Sequence, residues 1–148
     1  IHHEFTELFS LLFVDGNHEN FDMLNAFPVF NFNGGKAHKI SEHIYHLMRG
    51  QVFEIDGKKI FAFGGARSHD IDGGILELDD PDFKRKRKRL ESDWRPYRIN
   101  HLTWWADEMP SKKEMYEGLK NLAKHQTMGQ SISSFAMSTD FKFICQIC

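Results

Sequence analysis

The chain has 148 residues, enough for one domain with its own core, and with 41% hydrophobic and 27% charged residues its composition is that of a globular protein. A formal charge of −2 excludes a chain built as a whole to coat nucleic acid or an anionic membrane. Two cysteines, Cys145 and Cys148, exclude a disulfide framework, and no apolar run approaches the roughly 18 residues of a membrane-spanning helix, so the expected compartment is the cytoplasm.

Phe9 to Val14 (FSLLFV) is a short apolar run that ends in Asp15-Gly16, the pattern of a buried strand delivering a loop. Asn20 is placed to cap a short helix with Phe21, Leu24 and Phe27 on one side, stopped by Pro28. The stretch from Val29 to Phe63 reads as strands, with candidates at Lys36 to Ile40 and Ile44 to Leu47. Its clearest local signal is Gln51 to Phe63 (QVFEIDGKKIFAF), where Asp56-Gly57 suits a type I′ hairpin turn between two apolar runs. Ile60 to Phe63 is apolar on both faces and belongs inside a sheet.

After a loop over Ala66 to Asp79, three helices are predicted. The first opens at Asp80-Pro81 and runs to about Ser92, with Phe83 and Leu90 inward. The second is capped by Asn100, with Ile99 and Trp104 as a hydrophobic staple. The third begins at a Ser111/Glu114 capping box and carries Met115, Leu119 and Leu122 at helical spacing. Ser131 to Met137 and Phe141 to Ile147 are candidate strands. The fold class expected is α/β, in layered α+β form.

The chemistry gathers at Gly16-Asn17-His18-Glu19. A loop at the end of a buried strand is a rigid platform for a site. Gly16 permits a bend, Asn17 offers a neutral carbonyl oxygen to a divalent cation, and His18 offers an imidazole that can protonate or stabilise a substrate oxygen. Four such residues alone also suit a plain turn. The strand before and the helix after place them as an active-site loop would be placed.

LFVDGNHENFDMLNAFP (Leu12 to Pro28) resembles the Gly-Asn-His-Asp/Glu region of the calcineurin-like metallophosphoesterases, and in particular a bacterial and phage metallophosphatase subgroup. The likeness continues through HLMRGQVFEIDGKKIFAFGGARSHD (His46 to Asp70) and RINHLTWWADEMPSKKEMYEGLKNLAKH (Arg98 to His125), so that it spans roughly residues 11 to 125. It implies a β-sandwich flanked by helices and a two-cation site of Mn, Fe or Zn that hydrolyses a phosphate mono- or diester with a metal-activated water. Carried over, Asn17 is a metal ligand and His18 is the catalytic imidazole at the phosphoryl or leaving-group oxygen. Gly16 is the bend, and Glu19 fills the acidic position. Arg67, Ser68, His69 and Asp70 follow a buried strand; a site rim with substrate contact and a plain surface turn are both open readings for them.

The family pattern is incomplete. Its Asp-x-His and Gly-Asp motifs belong upstream, and the fifteen residues before Gly16 contain neither; His2 and His3 are merely adjacent. Its downstream metal-binding His and Gly-His-x-His are missing as well, because no His follows His125. A single neutral amide cannot hold a divalent ion against water. The expectation is an incomplete chain, starting at Ile1, with a partial phosphoesterase domain over 1–125 and a divergent tail over 126–148. The two cations would not be held tightly by this chain alone, and it would show little phosphatase activity; the alternative expectation is a non-catalytic remnant or partner-binding fragment.

Lys84 to Arg89 (KRKRKR) invites a nucleic-acid reading, but acidic residues flank it and a solvated helix face is expected. Cys145-x-x-Cys148 has the spacing of half a zinc or redox site, with no second pair to complete it. Trp104 and Trp105 are expected to pack, one inward and one partly exposed. His38, His43, His46, His101 and His125 show no ligand spacing and are expected on strands or on the surface.

Overall fold

The computed structural model describes residues 9–126, 133–136 and 145–147. Strand β1 (Ser10–Phe13) leads through the Asn17 loop into helix α1 (Phe21–Ala26). Asn20 caps α1 by accepting from the Met23 N–H at 3.0 Å, and Phe21 and Leu24 are buried. Strands β2 (Val29–Phe32), β3 (Gly35–Ser41) and β4 (Ile44–Leu47) follow, then the hairpin of β5 (Gln51–Ile55) and β6 (Lys58–Phe63). The hairpin turn is as its sequence predicts: Asp56 and Gly57 both lie in the left-handed region, at φ 50° and 71°.

Short strand β7 (Ile75–Leu76), helix α2 (Phe83–Ser92), strand β8 (Arg98–Ile99), a 3₁₀ turn (Ala106–Glu108) and helix α3 (Lys112–Gln126) complete the main part, with β9 (Ser133–Ala136) and β10 (Cys145–Ile147) beyond. One sheet has the order β10-β1-β4-β3-β2, and β1 and β4 run parallel in it. A second has the order β5-β6-β9, which puts β6 in the interior as its two-sided apolar pattern requires. A third pairs β7 with β8. The main core joins both larger sheets: Leu12, Ala37 and Leu47 from one, Phe53, Ile55 and Ala62 from the other, with Val14 just past β1. The protein is therefore a mixed α/β fold.

Three expectations are corrected. Helix α2 starts at Phe83 because the Asp80 carboxylate accepts from the Asp82 N–H at 2.8 Å, which makes Asp80-Pro81 a turn ahead of the helix. No helix grows from Asn100: His101 takes φ 53°, the Thr103 hydroxyl accepts from the Ile99 N–H at 2.9 Å, and Asn100 reaches sideways to Glu77, so one closed turn forms instead. Helix α3 has its Ser111/Glu114 capping box, but Met115 and Leu119 point outward, at 45% and 68% exposure. The buried stripe is set by Gly118: a Cβ on Gly50 would lie 2.9 Å from the Gly118 backbone, and one on Gly118 would lie 3.2 Å from the Gly50 Cα, so a pair of glycines lets α3 approach this closely. Phe61 and Phe63 close against the same spot.

Helix α2 has the solvated face expected of its basic run: Arg85 pairs with Asp82, Lys86 with Asp80, Arg87 with Glu91 and Arg89 with Asp93. Trp105 is buried and donates to Asp22 of α1 at 2.7 Å, while Trp104 is partly exposed. Cys148, His2 and His3 lie outside the described residues.

Candidate functional site

Three strand ends converge on the Asn17 loop. Asp15 sits two residues past β1, Arg49 two residues past β4, and Gly64 to Ser68 directly follow β6. The Gly65 N–H donates to the Asp15 carbonyl at 3.0 Å, and the Asn17 side-chain amide donates to the Ser68 hydroxyl at 3.4 Å. Gly64 is needed there, since a Cβ would come within 2.5 Å of the Asp15 carboxylate. Gly16 is buried but is not in the left-handed region, so the bend is made without positive φ.

The predicted residues separate in space. His18 is exposed and Asn17 and Glu19 are half-buried. Arg67 and His69 are exposed, whereas Ser68 is buried, with its N–H and hydroxyl both donating to the Glu108 carboxylate at 2.9 and 2.5 Å. Asp70 is held by Arg98 through a two-point ion pair, and that pairing lowers the Asp70 carboxyl below its ordinary value despite some burial. Asn17 and Ser68 thus come together, while Asp70 turns away toward β8.

Beneath the loop lies a buried polar network that the sequence reading did not find. Asp15, 1% exposed, receives the Arg49 guanidinium through Nε at 2.8 Å and through a second nitrogen. Arg49 also donates to the Asp107 carbonyl at 2.7 Å and stacks 5.4 Å over the Phe21 ring. His46 Nε2 lies 3.1 Å from the other Asp15 oxygen, and His46 Nδ1 lies 3.0 Å from His38 Nδ1 across the β3–β4 ladder. A carboxylate only accepts, so Nε2 of His46 carries a proton; while His46 is neutral its Nδ1 accepts and His38 donates from Nδ1, and the direction of that contact reverses when His46 is protonated. A pit of about 60 Å³ opens over this group, lined by Asp15, His38, His46, Arg49 and Glu114.

Burial pushes the Asp15 carboxyl up, but hydrogen bonds from His46 and Arg49, and their charge, outweigh it and leave it below its ordinary value of 3.8. Burial, reinforced by the neighbouring His46, pushes His38 below its ordinary 6.5. Both groups therefore bind protons less readily in the folded state, and stability falls on acidification. The His38 contribution is lost as pH falls below 6.5, and the Asp15 contribution only as it falls below 3.8. Urea midpoints between about pH 8 and pH 5 should fall for the native chain and fall less for His38→Gln. An equal slope in both would remove His38 from this account.

One signal for the network was in the chain: a carboxylate and a guanidinium, each placed just beyond an apolar strand. Asp15 and Arg49 both fit that description. Nothing local marks Glu108. Among the described residues no three His, Cys, Asp or Glu side chains are grouped to hold a cation, and none of the described helices is long and apolar enough to cross a membrane. Comparison with protein-family models, with curated proteins and with solved structures finds no match to this chain.

Proposed function

We propose that the chain is part of a metal-dependent phosphoesterase of the calcineurin-like kind, acting on a phosphate mono- or diester. The observation that carries this reading is the placement of Asn17 and His18. They stand on the loop leaving β1, above a buried ionic base, with the Asn17 amide 3.4 Å from the Ser68 hydroxyl of the β6 strand-end loop and His18 open to solvent. Two sheets sharing one core, with helices beside them, agree with the sandwich that the family likeness implies.

The described residues do not fit two cations by themselves. Asn17 supplies one neutral oxygen, and three nearby carboxylates are committed: Asp15 to Arg49 and His46, Glu108 to Ser68, Asp70 to Arg98. Further carboxylates and imidazoles would have to come from segments outside the described residues. What this chain supplies is an imidazole at His18 that is free to approach a phosphoryl or leaving-group oxygen and to give it a proton.

Calorimetric titration of the 148-residue chain with Mn²⁺ or Zn²⁺ is expected to show no tight two-site binding, and aryl phosphate mono- and diesters should not turn over. In the full encoded protein, whatever its extent, His18→Ala should lower kcat by roughly 10²- to 10⁴-fold. Ester hydrolysis that is indifferent to both His18→Ala and Asn17→Ala would sink the reading.

A further inference from the structure

Helix α2 ends in a Schellman motif: the Arg95 N–H donates to the Leu90 carbonyl at 3.0 Å and the Trp94 N–H to the Glu91 carbonyl at 3.3 Å. The first residue past the cap of such a motif, which takes the left-handed conformation and is ordinarily glycine, is here Trp94, at φ 54°. Its side chain is 93% exposed. A bulky aromatic group is thus held in a disfavoured backbone conformation and given to water, with no packing in return. Strain of this kind concentrates where a side chain is used.

Trp94 lines the rim of an open cavity of about 690 Å³ between the end of α2 and β8, together with Leu90, Arg95, Tyr97, Arg98 and Thr103. A hollow this open can take one face of a nucleotide-sized molecule without enclosing it. Most of the charges around it are matched. Arg98 is paired with Asp70, and Glu91 accepts from Arg87 and from the Tyr97 hydroxyl at 2.9 Å. Arg95 donates only to the Asp72 carbonyl, and among the described residues it has no carboxylate partner. The cavity therefore offers one bare indole face and one guanidinium without a counter-charge. Its wall at Asp70 is two residues from Ser68, the residue that touches Asn17.

We propose that this cavity binds a nucleotide, with the base stacked on Trp94 and an anionic phosphate oxygen met by Arg95. As a statement about substrate class it rests on the phosphoesterase reading; as a statement about binding it rests on the cavity alone. Stacking on an exposed aromatic face tolerates any base, and guanidinium adds the charge that a phosphate monoester answers.

The test uses the chain as it stands, without metal, titrated with AMP, adenosine and ribose 5-phosphate while tryptophan emission is followed. AMP should quench the solvent-exposed Trp94 emission saturably, adenosine should do so more weakly, and ribose 5-phosphate should leave it unchanged. By calorimetry, Trp94→Gly should weaken AMP binding about tenfold. Because glycine suits the left-handed site, that variant should fold at least as well as the parent, so the loss cannot be ascribed to unfolding. Arg95→Ala should weaken AMP and spare adenosine. No saturable quenching at millimolar AMP, or unchanged AMP affinity in Trp94→Gly, overturns the proposal. No turnover is read here, so failure of nucleotide binding leaves the phosphoesterase reading with another ester class, and failure of hydrolysis leaves this cavity untouched.

Discussion

Replacing Arg49 by methionine is expected to cost about 3–5 kcal/mol, because it leaves a buried carboxylate without its cation. Asp15 is almost wholly enclosed, and Arg49 supplies two of its hydrogen bonds as well as its counter-charge. The same guanidinium binds the Asp107 carbonyl and covers Phe21, so the substitution also loosens the 3₁₀ turn and the start of α1. Against a total stability of about 5–15 kcal/mol for a domain, a loss of that size is a large share. The urea midpoint should drop at an unchanged slope.

The paired substitution separates charge from packing. Asp15→Ala with Arg49→Met removes both ions, and the double variant should lose clearly less than the two single losses added together. It will not return to native stability, since His46 Nε2 then has no acceptor at that oxygen. Losses that simply add would show that Asp15 and Arg49 do not depend on one another, which the 2.8 Å contact argues against.

What the sequence made legible was local. The Asn20 cap, the Asp56-Gly57 turn and the Ser111/Glu114 capping box each involve partners no more than three residues apart, so their chemistry can be read within one window. The Asp15–His46 and Asp15–Arg49 contacts span 31 and 34 residues, and Ser68–Glu108 spans 40. No local pattern fixes such distances; they follow from β1 lying parallel to β4 and from the turn at residues 106–108 folding under the β6 loop. Helix α3 failed in a different way. Its period was right, but of the stripe chosen, Met115, Leu119 and Leu122, the first two face solvent and only Leu122 is half-buried, one turn from Gly118. Contact with Gly50 instead selected the face that carries Gly118, since backbone can approach backbone only where no Cβ intervenes. For the candidate site, the strand and helix that flank Asn17 and His18 were legible, whereas the ionic base beneath the loop was not.

Glu108→Ala is expected to cost roughly 3 kcal/mol or more, and its effect should be felt at the Asn17 loop. The Glu108 carboxylate, 1% exposed, accepts from both the N–H and the hydroxyl of Ser68, and hydrogen bonds to an ionised acceptor are each worth about 1.5–3 kcal/mol. Alanine also leaves the Ser68 N–H buried with no acceptor. Glu108→Gln keeps one carbonyl oxygen for that N–H, and the Ser68 hydroxyl can rotate to accept from the new amide, so the cost should shrink to about 1 kcal/mol. Hydrogen exchange gives the local readout: the Ser68 amide should lose protection in Glu108→Ala and largely keep it in Glu108→Gln. Asn17→Ala should barely change stability, because its 3.4 Å contact to Ser68 is long and partly solvated. Glu108 would then set the shape of the loop, while Asn17 would be left for binding. A stability loss at Asn17 as large as that at Glu108 would mean that Asn17 is a structural residue.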